Sequence, residues 1–257
     1  MYTPGKGVSM LRHAWFIAVL LSAPLAAQKS GPQGDTWDSI AKLPDFGGLW
    51  EVTFGGGPRG AGEPPSFTPE YAAKVQAFQA ASQRGEIEDG PAANCVPNGM
   101  PSIMTQPYPI EVLFTPGKVT ILIEAYAQWR QIFTDGRAHP EDPDLTFNGH
   151  STGHWEGDTL VVDTVGFTTD TFLGNQGLRH SDKMRIVERF RLAAPDQLEV
   201  QTTITDPQAL TKPLARTAVY GRHRDWTLAE YVCQQNNRNF TTDDGKAGIN
   251  LSFEETK

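Results

Sequence analysis

Gly149-His150-Ser151-Thr152-Gly153-His154-Trp155-Glu156-Gly157-Asp158-Thr159-Leu160-Val161-Val162-Asp163-Thr164-Val165-Gly166-Phe167 is the stretch on which the fold turns. Two runs able to form strands, Gly149 to Glu156 and Thr159 to Phe167, flank Gly157-Asp158. Glycine at the first turn position accepts a positive φ, which favours a two-residue type II′ hairpin. That register sets Glu156 opposite Thr159, His154 opposite Val161, Thr152 opposite Asp163 and His150 opposite Val165. His150, Thr152, His154, Val161, Asp163 and Val165 then share one face, and Ser151, Gly153, Trp155, Leu160, Val162 and Thr164 share the other. A three-residue turn would move Asp163 to the second face and separate it from the histidines.

Further short strands are expected on both sides. Gly48 to Phe54 comes first, followed by one helix that opens at Thr68-Pro69, with Thr68 as its cap. Pro109 to Thr115 and Lys118 to Tyr126 join through Pro116-Gly117, a type II turn. Ala127 to Thr134, Lys183 to Ala193, Gln197 to Asp206, Leu214 to Arg222 and Thr227 to Val232 complete the set. The expected fold is mainly β, a single antiparallel up-and-down barrel or sandwich of about 8–10 strands with one helix on its N-terminal side. Residues 46–235 form this domain, 28–45 a flexible N-terminal segment and 236–257 a polar tail.

Composition narrows the setting. The 257 residues carry 22 Lys and Arg against 30 Asp and Glu, a net charge of −8. An acidic balance argues against a non-specific nucleic-acid binder, which needs a clustered cationic surface. Lys6 and Arg12, the apolar run Ala14 to Leu21 and the small residues Ala23, Ala26 and Ala27 describe a secretory signal over residues 1–27. Its apolar core is too short for a membrane span. Cleavage near Ala27 leaves 20 basic against 30 acidic residues, a net −10, in a periplasmic or secreted protein. In that oxidising setting Cys95 and Cys233, the only cysteines, are expected to pair, the alternative being a catalytic thiolate.

Two resemblances bear on the fold. Gly48-Leu49-Trp50 resembles the Gly-x-Trp of lipocalins, in which the tryptophan closes one end of the barrel, and implies a lipocalin- or calycin-like fold. The 149–167 hairpin, with Phe133-Thr134-Asp135-Gly136-Arg137 and the segment around His139, resembles an abundant group of exported bacterial proteins. That likeness covers about residues 90–235 and implies a shared β-rich exported fold, with no activity attached.

Candidate chemistry concentrates on the hairpin. Asp163 diagonal to His150 and His154 would orient an imidazole as a general base. A shared metal is disfavoured, because positions four apart on a strand lie roughly 13 Å from each other; a bend, or help from His139 or His180, would be needed. No metal and no cofactor are expected. On the 110–126 hairpin, Glu111, Glu124 and Tyr126 face away from the apolar side, and continued alternation adds Gln128 and Arg130. Trp129 and Phe133 then fall in the core. Glu188 lies among Met184, Ile186 and Phe190, so it needs a partner such as Arg130. His180 is a loop residue within reach of a barrel mouth.

Three functions are compatible with this sequence. The first is an exported enzyme doing cofactor-independent acid/base chemistry, of lyase, isomerase or cyclase type, on a partly apolar or aromatic small molecule. His150, His154, Asp163 and Glu124 would be catalytic; Arg130, Tyr126, Glu111, Glu188 and His180 would bind substrate. The second is a carrier or sensor of a small hydrophobic ligand. The third is a structural surface protein.

Overall fold

The computed structural model describes residues 33–53, 63–84, 95–173 and 178–233, together with the backbone of 239–241 and 247–249. The expected signal segment lies outside the described residues. Nine strands close into a barrel: β1 (Gly48–Val52), β2 (Ile110–Thr115), β3 (Lys118–Ile123), β4 (Gln128–Phe133), β5 (His150–Glu156), β6 (Thr159–Val165), β7 (Arg185–Ala194), β8 (Gln197–Thr205) and β9 (Leu214–His223). Each strand neighbours the next in sequence, and β9 returns to β1.

Two turns set the registers. Gly157 has a φ of +64° and pairs Glu156 with Thr159, so His150 faces Val165, Thr152 faces Asp163 and His154 faces Val161, as the type II′ reading requires. Gly117, with a φ of +73°, closes the β2–β3 hairpin at Thr115 and Lys118 and aligns Ile110, Val112 and Phe114 with Ile123, Ile121 and Val119.

One pairing departs from the up-and-down expectation. β4 and β5 run parallel, through Ile132 with Ser151 and Phe133 with Thr152. Residues 134–149 carry the chain back along the wall, so β5 sets out in the direction of β4. Asn148 extends this short seam by donating from Nδ2 to the Trp129 carbonyl at 3.1 Å. Thr227 to Val232 forms no strand, whereas the tail contributes a small antiparallel pair, Asn239–Thr241 (β10) with Ala247–Ile249 (β11).

The interior is filled by side chains, among them Trp50, Ile110, Ile121, Val162, Ile186 and Tyr220, all fully buried. The Gly-x-Trp tryptophan donates from Nε1 to the Phe46 carbonyl at 2.8 Å and carries the Arg222 guanidinium 4.4 Å above its ring. A 3-10 turn, Ser102–Thr105, buries Ile103 and Met104, and the Tyr220 hydroxyl donates to the Met104 carbonyl at 2.7 Å.

Two helices are described. Trp37–Ile40 (α1) is capped by Thr36 and Ser39, which gives structure to part of the expected flexible segment. Pro69–Gln83 (α2) begins at the expected residue, but Thr68 does not cap it through its side chain. Its hydroxyl donates instead to the Gln208 carbonyl at 2.8 Å, tying the helix start to the loop before β9. Cys95 and Cys233 form a disulfide. Among the described residues no helix is long and apolar enough to cross a membrane.

Candidate functional site

The two faces of β5 and β6 have different fates. Ser151, Leu160, Val162 and Thr164 are buried inside the barrel, so His150, Thr152, His154 and Asp163 stand on its outer wall. The loop from β4 returns across this wall and brings His139 between His150 and Asp163. His139 Nδ1 lies 2.8 Å from His150 Nδ1. Its Nε2 lies 3.5 Å from Asp163 Oδ2 and 3.3 Å from the Thr152 hydroxyl. Arg185, on β7, grips Asp163 from the far side, Nε to Oδ1 at 2.7 Å and Nη2 to Oδ2 at 2.5 Å. The result is a continuous contact chain, Arg185–Asp163–His139–His150.

The chain dictates where protons sit. A carboxylate only accepts, so His139 carries its hydrogen on Nε2, shared between Asp163 and Thr152. In the tautomer with its hydrogen on Nε2 alone, His139 offers a lone pair at Nδ1. Two nitrogens 2.8 Å apart hold one proton between them, which in that tautomer His150 Nδ1 donates. His150 Nε2 is left with its lone pair and has no hydrogen-bond partner among the described residues. That atom is the natural base of the cluster.

Electrostatics agree with this assignment. Burial, the neighbouring His139 and the Arg137 charge all pull the His150 pKa below the ordinary imidazole value, so the ring is neutral at pH 7. Burial pushes the Asp163 carboxyl up, but the hydrogen bonds and charge of Arg185, with His139, outweigh it and hold the group below the usual carboxylate range. Phe133 stacks on His150 at 5.5 Å, and Arg137 lies 4.0 Å from the Phe133 ring centre. Arg137 is itself held by Asp135 through Nε at 2.9 Å and Nη2 at 2.5 Å. An aromatic wall and a cation therefore flank the base.

The other expected site residues lie elsewhere. His154 shares the outer face, but it is exposed and pairs with Glu156 at 3.2 Å, while Asp163 turns to His139. Glu124 accepts a hydrogen bond from the Ala229 amide at 2.8 Å and braces the segment after β9. Tyr126 packs on Tyr231 at 5.2 Å. Burial, Tyr126 and Tyr108 push the Tyr231 hydroxyl up to about 12. Glu111 stays on the outer face of β2, opposite Leu122.

Arg130 is on the opposite side of the sheet from that expected. The 3-10 turn Ala125–Ala127, with positive φ at Tyr126 and Ala127, resets the alternation before β4. Arg130 therefore pairs with Ile121 and points inward, and Trp129, expected in the core, is 60% exposed. Inside the barrel Arg130 meets Glu188 at 3.2 Å and 2.6 Å, with Ser151 and Thr164 beside it. This is the buried partnership that Glu188 needed.

His180 is also buried, not open to solvent as a loop residue at a barrel mouth would be. Nδ1 donates to the Ser181 carbonyl at 2.8 Å, and Nε2 lies 2.6 Å from the Thr171 hydroxyl, which also reaches the Thr168 carbonyl at 3.2 Å. Burial lowers its pKa despite the Ser181 bond and the nearby Asp206 charge.

His139 and Arg185 are the members that sequence reasoning missed. Arg185 was readable, since alternation on β7 puts it on the outer face with Asp163. His139 was not, because a loop residue has no periodicity from which to infer its direction. Among the described residues, no three His, Cys, Asp or Glu side chains gather closely enough to hold a metal ion. Compared with protein-family models and with curated proteins, the chain matches none.

Proposed function

We propose that this protein is an exported enzyme performing cofactor-independent acid/base chemistry on a small, partly aromatic substrate. The observation that carries the reading is the Arg185–Asp163–His139–His150 chain, which ends in an unprotonated imidazole nitrogen. His150 Nε2 takes a proton from a carbon or oxygen acid. The positive charge that forms is shared through the Nδ1–Nδ1 contact with His139 and balanced by Asp163. Arg185 fixes the carboxylate, and Phe133 offers a flat wall for the substrate. The filled interior supports an outer-face site over a ligand held in the barrel lumen. The Cys95–Cys233 disulfide suits an oxidising compartment.

The test is proton exchange. A panel of small C–H acids with aromatic or apolar bodies is incubated with the protein in D2O, and deuterium uptake is followed by mass spectrometry. His150→Ala should lower exchange by roughly 10²- to 10⁴-fold. His139→Ala and Asp163→Asn should lower it less, and His154→Ala should leave it near the wild-type rate. Exchange that survives His150→Ala, or no exchange with any acid of the panel, rejects the proposal.

A further inference from the structure

A cleft lies on the barrel wall beyond the last pair of β1 with β9. β1 covers β9 only from Tyr220 to His223, and the Thr53 amide makes a last bond to the Val219 carbonyl. Among the described residues no strand pairs with Leu214–Ala218 on the side away from β8. The segment Glu63–Thr68 passes there instead, held by the Thr211 amide on the Ser66 carbonyl and the Thr68 amide on the Ala209 carbonyl. Between them is a cleft of about 280 Å³, lined by Glu63, Pro64, Ser66 and Lys212 to Thr217.

Arg216 is the unusual group in this cleft. It occupies an inward row of the barrel, in register with Thr202 and hence with Glu188, yet its guanidinium turns out toward Glu63. Nη1 is clamped by two backbone carbonyls, Glu63 at 2.7 Å and Ala215 at 3.1 Å. The Nε/Nη2 edge makes no hydrogen bond among the described residues, and no carboxylate there pairs with this cation. The acid at hand, Glu63, is taken by Lys212. Burial has already begun to disfavour the charge on Arg216. A partly desolvated guanidinium without a counter-ion, in an acidic protein, is costly unless an anion completes it.

We propose that this cleft binds a small organic carboxylate, its two oxygens on the Nε/Nη2 edge of Arg216 and its apolar body against Pro64 and Pro213. The clamped Nη1 holds the fork in one orientation, and a planar fork matches a carboxylate with two parallel bonds. Ser66 also lines the cleft, its hydroxyl 2.7 Å from that of Thr211. The two prolines select for an apolar substituent over a bare inorganic anion. This site shares no residue with the His150 cluster and does not rest on it.

The experiment is an NMR titration of the whole chain with sodium benzoate, sodium butyrate and sodium phosphate at constant ionic strength. Benzoate and butyrate should move the Arg216 side-chain Nε–H signal and the amides of Leu214 to Thr217 saturably, with the His139 and His150 signals unmoved. Arg216→Gln should weaken benzoate binding by about tenfold or more, and Arg216→Lys by a similar factor, because an ammonium keeps the charge and loses the fork. The wild-type titration alone can overturn the proposal, through the absence of a saturable shift at Arg216 Nε or an equal response to phosphate. Benzoate binding unchanged in a folded Arg216→Gln variant overturns it as well.

Discussion

Replacing Glu188 by leucine isolates one consequence of the barrel interior. The Arg130 and Glu188 side chains are 1% and 2% exposed, so solvent screens neither charge. Glu188 takes both terminal nitrogens of Arg130, at 3.2 Å and 2.6 Å. Without it, Arg130 keeps only the hydroxyls of Ser151 and Thr164, at 3.5 Å and 3.4 Å. An uncompensated buried charge costs about 3–5 kcal/mol. For a chain of this size that corresponds to a fall in Tm of roughly 6–20 °C. The partnership is not fully satisfied even when intact, because Arg130 Nε has no hydrogen-bond partner. The double variant Arg130→Met with Glu188→Leu removes both charges and should lie close to wild type or above it. Urea denaturation of the wild type, both single variants and the double variant closes the cycle. A loss below about 1 kcal/mol for Glu188→Leu, or a double variant as unstable as the two losses added together, would show that the buried pair does not behave this way.

Two further outcomes follow from other parts of the structure. The His180 pKa is lowered by burial, so between about pH 6.5 and its folded value the unfolded chain binds more protons than the native one. Stability should therefore fall as pH drops below about 6.5, by up to about 1.4 kcal/mol per pH unit from this group, and be flat above it. Urea midpoints between pH 7.5 and 5 for wild type and His180→Gln check the sign, since the variant should flatten the slope. The Cys95–Cys233 bridge closes a loop of 138 positions, which the chain-entropy model values at about 5 kcal/mol. Thermal melts of Cys95→Ser with Cys233→Ser should show a loss of that order, and an unchanged Tm contradicts it.

The sequence was most legible where short turns fix geometry. Gly157-Asp158 and Pro116-Gly117 each allow one two-residue hairpin, and every cross-strand pair of β5–β6 and β2–β3 follows from them. Legibility ended where the chain changed phase without a signal. Nothing in Glu124-Ala125-Tyr126-Ala127 announces positive φ at Tyr126 and Ala127, which carry neither glycine nor asparagine. Those two residues move Arg130 inside and Trp129 outside, and so dissolve the expected cluster of Glu124, Arg130 and Tyr126. The site itself was half visible. Alternation set His150 and Asp163 on one face, but the residue joining them, His139, comes from a loop whose path depends on tertiary contacts such as the Thr146 amide to the Gly166 carbonyl. The parallel β4–β5 seam was hidden for the same reason, since a polar connection of that length does not declare its direction.

His150 presents an unprotonated Nε2 in the proposed site, held there by Asp163 through His139. Long-range proton–nitrogen NMR of the imidazole rings near pH 7.5 reads this directly. The predicted result is hydrogen on Nε2 of His139 and on Nδ1 of His150, with the His150 assignment lost in Asp163→Asn. A His150 ring protonated at Nε2 in the wild type, or a tautomer pair indifferent to Asp163, would contradict it.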